Sequence, residues 1–228
     1  MECSLAKNEL KIYVATQLEH FSPDQYKFNG IDVDKAMELA LERVEFCFKH
    51  ITVAGYNKNN MPYFYHLHAD QYSQFLYYLS NSLWKLSENK VLCDKLIYLN
   101  RALHSIWFSY KGELPNIFLL THPVGSVLGN AAYSDFLVVS QNVTVNTNFD
   151  EKGNKAPILG KGLFLSAGAK IIGNKPIGDR VTIGIDTCVF KREIQSDRLV
   201  YKDENGKIQT KIWERTAIAQ PYFNVNIC

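Results

Sequence analysis

The stretch Pro157–Val189, PILGKGLFLSAGAKIIGNKPIGDRVTIGIDTCV, decides how the chain folds. Bulky aliphatics stand in every sixth place, at Leu159, Leu165, Ile171, Ile177, Ile183 and Val189, and Gly160, Gly178 and Gly184 directly follow three of them. Upstream, the same spacing links Val139 to Val145. A unit of this length supplies one short strand and one turn, and it buries its aliphatic only by stacking on the next unit. The pattern therefore predicts a parallel β-solenoid with three units to each triangular coil. An antiparallel sheet would instead need alternating runs of about five or six residues joined by hairpin turns.

Outward from this stretch the rhythm breaks twice. Asn146–Pro157 (NTNFDEKGNKAP) is polar and is expected to leave a corner of the solenoid as a mobile loop that closes over bound ligand. After Arg192 the tail leaves the repeat, and Lys202–Asp203–Glu204–Asn205–Gly206 is placed to turn a hairpin between Leu199–Val200–Tyr201 and Ile208–Gln209–Thr210. Before Pro115 the period is helical. Met37, Leu41, Val44 and Phe48 form one amphipathic face, with Asp32 and Asp34 as start signals. Tyr72, Leu76, Leu79, Leu83 and Leu86 form a second face, and Leu92, Leu96, Leu99, Leu103 and Ile106 a third. The short link Ser87–Glu88–Asn89 suits a hairpin of the last two helices. The expected class is α+β: a helical domain over residues 1–115, a β-helix over 116–192 and an extension over 193–228.

The 228 residues are 46% apolar with a formal charge of +2, a composition that fits a folded chain and offers no electrostatic footprint for nucleic acid or anionic membrane. No apolar run approaches the roughly 20 residues of a bilayer span, and Glu2, Lys7, Glu9 and Lys11 charge the start, so a cytoplasmic location is expected. Five scattered cysteines without a CxxC pair read as reduced thiols. His66 and His68 in YHLHAD lack a third ligand at suitable spacing, so no metal is expected.

HPVGSVLGNA (122–131), SQNVTVN (140–146) and PILGKGLFLSAGAKIIGN (157–174) together resemble the serine acetyltransferases of the hexapeptide acyltransferase superfamily, most specifically in AGAKIIGN. The resemblance runs from about Leu119 to Val189 and more weakly back to Asp70. It implies a left-handed β-helix, association as a homotrimer or a dimer of trimers, acetyl-CoA as co-substrate, and acetyl transfer to the hydroxyl of L-serine. On the matching positions, His122 takes the place of the catalytic histidine. Asp70 and Lys155 take the places that hold the amine and carboxylate of the acceptor, and Thr147, Ala167 and Ile185 line the groove for coenzyme A. A general base makes chemical sense here, because a hydroxyl attacks a thioester poorly unless its proton is removed as the bond forms.

The chain also departs from the family pattern. Thr121 stands where the family has an Asp directly before the histidine, Ala156 stands where it has a second histidine, and the carboxylate that orients the base would align near Trp107. These changes keep two other readings open, an O-acyltransferase acting on a sugar or nucleotide-sugar hydroxyl and a catalytically silent trimeric scaffold. In the family a tail ending in Ile docks into cysteine synthase; here Cys228 follows Ile227, which sets that partnership in doubt.

Overall fold

The computed structural model describes residues 1–146 and 156–227. The helical half contains α1 (Lys7–Phe21), α2 (Ile31–Phe48), α3 (Ala69–Ser87) and α4 (Lys90–His104). A small sheet of β1 (Glu2–Cys3), β2 (Asn57–Lys58) and β3 (Met61–Phe64) lies beside them, with β3 in the middle. Helix α2 starts after Gly30, whose φ of 102° suits glycine, and carries Asp32 and Asp34 in its first turn, where the helix dipole favours anions. Helices α3 and α4 are joined through Glu88, in the left-handed region at φ 50°, and Asn89, whose side chain accepts from Leu92 N–H at 3.1 Å to cap α4. The face expected to bury Leu86 and Leu103 stops short of both. Each lies in the last turn of its helix and is about two-fifths exposed, at 40% and 39%.

Helix α3 is buried from Asp70 through Leu83, packed between α2, α4 and the strands beyond. A helix surrounded on all sides must satisfy its polar side chains internally. Gln74 Nε2 donates to Phe118 O at 3.0 Å, Asn81 Nδ2 to Tyr110 O at 2.8 Å and Tyr78 OH to Asn116 O at 3.1 Å. These bonds fasten the connecting segment to α3 as the chain enters its second half.

That half is built from three parallel ladders. One sheet stacks β5 (Phe118–Leu120), β8 (Leu137–Val139), β11 (Phe164–Leu165), β13 (Thr182–Ile183) and β15 (Arg198–Lys202). The second stacks β4 (Trp107–Phe108), β6 (Val127–Leu128), β9 (Thr144–Val145), β12 (Lys170–Ile172) and β14 (Cys188–Phe190). The third pairs β7 (Ala132–Tyr133) with β10 (Ile158–Leu159) and continues through the bridges Leu159↔Ile177 and Ile177↔Ile194. The period-six aliphatics meet in register three units apart, Leu165 with Ile183, Ile171 with Val189 and Leu159 with Ile177, and all six are buried. Leu165 also pairs with Val139 and Ile171 with Val145, so the ladders resume in register across 147–155.

The corners are tight. A side chain at Gly160 would come within 2.4 Å of the Gly178 backbone on the next coil, so stacking there needs glycine. Paired strands reach from Trp107 to Lys202, beyond residues 116–192 on both sides. Strand β15 turns into β16 (Ile208–Ile212) as the expected antiparallel hairpin, with Asp203 Oδ1 accepting from the N–H groups of Asn205 and Lys207. At the opposite end α3 packs on β5 and α4 on β4. The tail then returns: Phe223 bridges Ile51, and Ile227 is buried against Gly162.

Candidate active site

Each regular corner joins its flanking core aliphatics over six residues, as from Val139 to Val145, Leu165 to Ile171 and Ile183 to Val189. The first corner does not. Leu120 and Leu128 occupy the same ladder positions but stand eight residues apart, so Thr121–Val127 contains two more residues than the corners stacked on it. The surplus forms a compact turn in which Val124 N–H donates to His122 O at 2.8 Å and Ser126 N–H to Pro123 O at 3.1 Å. His122 opens this turn at φ 52°, in the left-handed region also used at other corners by Asn142, Asp186 and Asp197. Its side chain is 89% exposed, as expected of a residue on a corner that juts out.

Asp70 reaches His122 from the first turn of α3. Asp70 Oδ2 accepts the His122 backbone N–H at 3.0 Å and lies 3.5 Å from Nδ1 of the same residue. The second distance is within reach of an ion pair but is too long for a formed hydrogen bond. The carboxylate is nearly buried, at 8% exposure for the residue, on a helix start that favours negative charge. Two further titratable groups feel its charge. Burial drives the His104 imidazole down to about 4, against the opposing pull of Asp70, and drives the Tyr56 phenol well above its ordinary value, with Asp70 adding to the effect.

Two other expected residues share the corner of His122. Leu120, Val139, Leu165 and Ile183 form one row of the ladder, and two residues beyond each stand His122, Gln141, Ala167 and Ile185. Neighbouring members of this column are tied by Gly168 N–H donating to Gln141 O and Asp186 N–H to Ala167 O, both at 2.9 Å. Ala167 is half-buried and Ile185 exposed. Thr147 and Lys155, and most of the loop Asn146–Pro157, lie outside the described residues.

The departures have structural partners. Thr121 Oγ1 donates toward Val139 O and Ser140 Oγ, each at 3.2 Å, so its hydroxyl is engaged within the coil. Trp107 lies in β4 beside Val127. His66 Nδ1 contacts Ser4 Oγ at 2.8 Å and His68 caps α3; among the described residues no group of His, Cys, Asp and Glu is placed to hold a metal. The motif and the repeat single out His122, Ala167 and Ile185 as candidates. The pairing of Asp70 with His122 was not legible there, since the sequence reading gave Asp70 to the acceptor's amine.

No family model matches the chain. Among curated proteins, a serine acetyltransferase of Synechococcus elongatus is 31% identical over 116 residues, 50% of this chain and 47% of the relative. One of Staphylococcus aureus is 32% identical over 120 residues, 49% of this chain and 56% of the relative. Over about half of its length the chain is similar to serine acetyltransferases. The chain spans about half the length of the curated serine acetyltransferases it matches. Solved structures extend the likeness of fold to nearly the whole chain. A serine acetyltransferase in complex with cysteine superposes with TM-score 0.65 at 17% identity over 99% of this chain and 86% of its own. Another in complex with CoA gives 0.64 at 17% identity over 88% and 83%, and that of Neisseria gonorrhoeae gives 0.64 at 16% over 94% and 85%.

Proposed function

We propose that the protein is an acetyl-CoA-dependent O-acetyltransferase whose acceptor is the hydroxyl of L-serine. The observation that carries this reading is the corner itself. A histidine stands on a projecting turn, beside a buried carboxylate, at the head of the column that includes Ala167 and Ile185. In the proposed reaction His122 takes the hydroxyl proton as the serine oxygen bonds to the thioester carbon. The tetrahedral intermediate then collapses with loss of the CoA thiolate, and the imidazolium returns the proton to that sulfur. A backbone N–H of the coil surface would stabilise the oxyanion. The pantetheine arm would follow the column past Ala167 and Ile185, with Thr147 beside it. Asp70 and Lys155 would face the amine and carboxylate of the acceptor.

The reading carries further proposals. The coil is left-handed; the helical unit expected over 1–115 gives its last residues, from Trp107, to the coil, and the acyl-transfer unit expected over 116–192 runs on to Lys202, leaving the rest of 193–228 as the extension. The chains form a homotrimer or a dimer of trimers, with His122 facing a neighbouring chain. No helix among the described residues is long and apolar enough to cross a membrane. The free thiols of Cys3, Cys47, Cys93 and Cys188 support a cytoplasmic location, where acetyl-CoA is also available. Burial of Ile227 against Gly162 disfavours docking of the tail onto a cysteine synthase.

Thiol release from acetyl-CoA, measured with L-serine and then with a panel of sugars and nucleotide sugars, tests the function. Release with serine alone supports the proposal. Release with sugars alone supports the second reading, which the uncharged Thr121 and Ala156 favour. Absence of both release and acetyl-CoA binding leaves the scaffold.

A further inference from the structure

The carboxylate that the resemblance places upstream of the histidine has no counterpart at Trp107, and Thr121 is engaged in the coil. The fold brings a different one to the same imidazole. We propose that Asp70, from the helical half, is the positioning residue for His122, holding the ring with Nδ1 toward its carboxylate and Nε2 toward the acceptor hydroxyl. This role rests on the reading of His122 as the base and adds to any contact Asp70 makes with an acceptor amine.

Three observations converge on it. First, Oδ2 already holds the His122 backbone N–H at 3.0 Å, which fixes the carboxylate relative to the projecting corner and leaves Nδ1 at 3.5 Å. A small rotation of an exposed ring closes that gap, and hydrogen bonds of a catalytic base commonly tighten only once substrate is bound. Second, the carboxylate is nearly buried at a helix start, so it is rigid and shielded from screening on the side away from His122. Third, the other titratable groups around it do not neutralise it. His104, whose Nδ1 is taken by Asn100 Oδ1 at 2.8 Å, is kept uncharged near neutral pH by burial, and Tyr56 keeps its proton. Among the described residues, the direct contacts of the Asp70 carboxylate are with the backbone N–H and the imidazole of His122. With Nδ1–H directed at the carboxylate, the lone pair of Nε2 is free to accept a proton, as a base requires.

The test pairs Asp70→Asn with a direct measurement of the ring. Oδ2 faces both the backbone N–H and Nδ1, so Asn puts either an uncharged oxygen or an amide there; in both cases the carboxylate that favours Nδ1–H is lost and the tautomer protonated at Nε2, which cannot act as a base, gains. The positioning role predicts that kcat with acetyl-CoA and L-serine falls at least about tenfold, whether or not KM for serine also rises through a lost amine contact. It also predicts that ¹⁵N-histidine spectra of the unmodified protein show His122 as the Nδ1–H tautomer, assigned by loss of its signals in His122→Gln. A raised KM with unchanged kcat would make Asp70 an acceptor contact only and overturn the proposal, as would an Nε2–H tautomer in the unmodified protein. If Asp70→Asn does not fold, the tautomer decides. If His122→Ala abolishes turnover while Asp70→Asn matches the parent, the positioning role falls and the base stands. If His122→Ala keeps full turnover, both fall together.

Discussion

His122 is held by its backbone and exposed in its ring, which leaves Nε2 open to an incoming hydroxyl. The Asp70 contact adds little to stability, because an ion pair with one partner so exposed is screened by water. His122→Ala should therefore leave thermal unfolding and acetyl-CoA affinity close to those of the parent. Turnover should fall by about 10²-fold or more, the lower end of what general-base assistance contributes. A variant with parental turnover would show that another group accepts the proton. His104 presents the opposite case. Its ordinary value of 6.5 is lowered to about 4 by burial, so in acid the unfolded chain takes up a proton that the folded chain refuses. No stability is at stake above pH 6.5, and stability is lost as the pH falls from there toward 4. At about 1.4 kcal/mol per unit the loss approaches ~3 kcal/mol. Urea unfolding across this range should show a smaller decline for His104→Gln than for the parent, and equal declines would show that His104 is solvated. From sequence, the surrounding motif singles out His122 as a candidate, whereas no local pattern couples Asp70 to a corner 52 residues away. That pairing depends on where the start of one helix meets one turn of the coil.

At the scale of elements, the coil was the legible part, because one large aliphatic per short unit leaves few other ways to bury it. The two extra residues of the His122 corner were also present in the sequence. They become visible only when Leu120 is recognised as the ladder partner of Val139, since no six-residue rhythm runs through that corner. Helix α1 was missed although Leu10, Val14 and Leu18 recur every fourth place and are buried, because Ile12 and Phe21, both exposed, blur the apolar face. The glycine corners allow a sharp test of the stacking. Gly160→Ala would push a Cβ to within 2.4 Å of the Gly178 backbone, which has no side chain to move aside. Overpacking of this kind costs about 1–3 kcal/mol, so the melting temperature should drop by several degrees. Gly206→Ala, in the open turn between β15 and β16 at φ +75°, meets no atom within 4 Å and isolates the effect of backbone strain. Equal losses in the two would mean that the coils can part at that corner.

For the molecule as a whole, the tail joins the two halves. Thr52 N–H donates to Tyr222 O at 3.0 Å and Thr52 Oγ1 to Pro221 O at 2.6 Å on the helical side. On the coil side Phe223 packs edge-on to Phe136 and Tyr222 lies against Phe164, with ring centroids 5.2 and 5.7 Å apart. Ile227→Ala, which empties a buried site, should cost about 2–5 kcal/mol in urea unfolding. The exposed Ile212→Ala should change stability by no more than about 0.5 kcal/mol. A negligible effect at Ile227 would mean that the tail is not anchored there. Light scattering tests the assembly: a mass of three or six chains at micromolar concentration is expected, and a monomer would count against a site shared between subunits.

The bridge between Ile51 and Phe223 also orders events in time. During synthesis the helices and the lower coils can fold as they emerge, since most of their partners lie nearby in the chain or one coil on. The site beside Ile51 that receives Phe223 must wait, open, until about 170 further residues have been translated. A nascent chain stalled before residue 219 would therefore carry its α2–coil junction uncovered, which makes that interval the one in which a chaperone has most to shield.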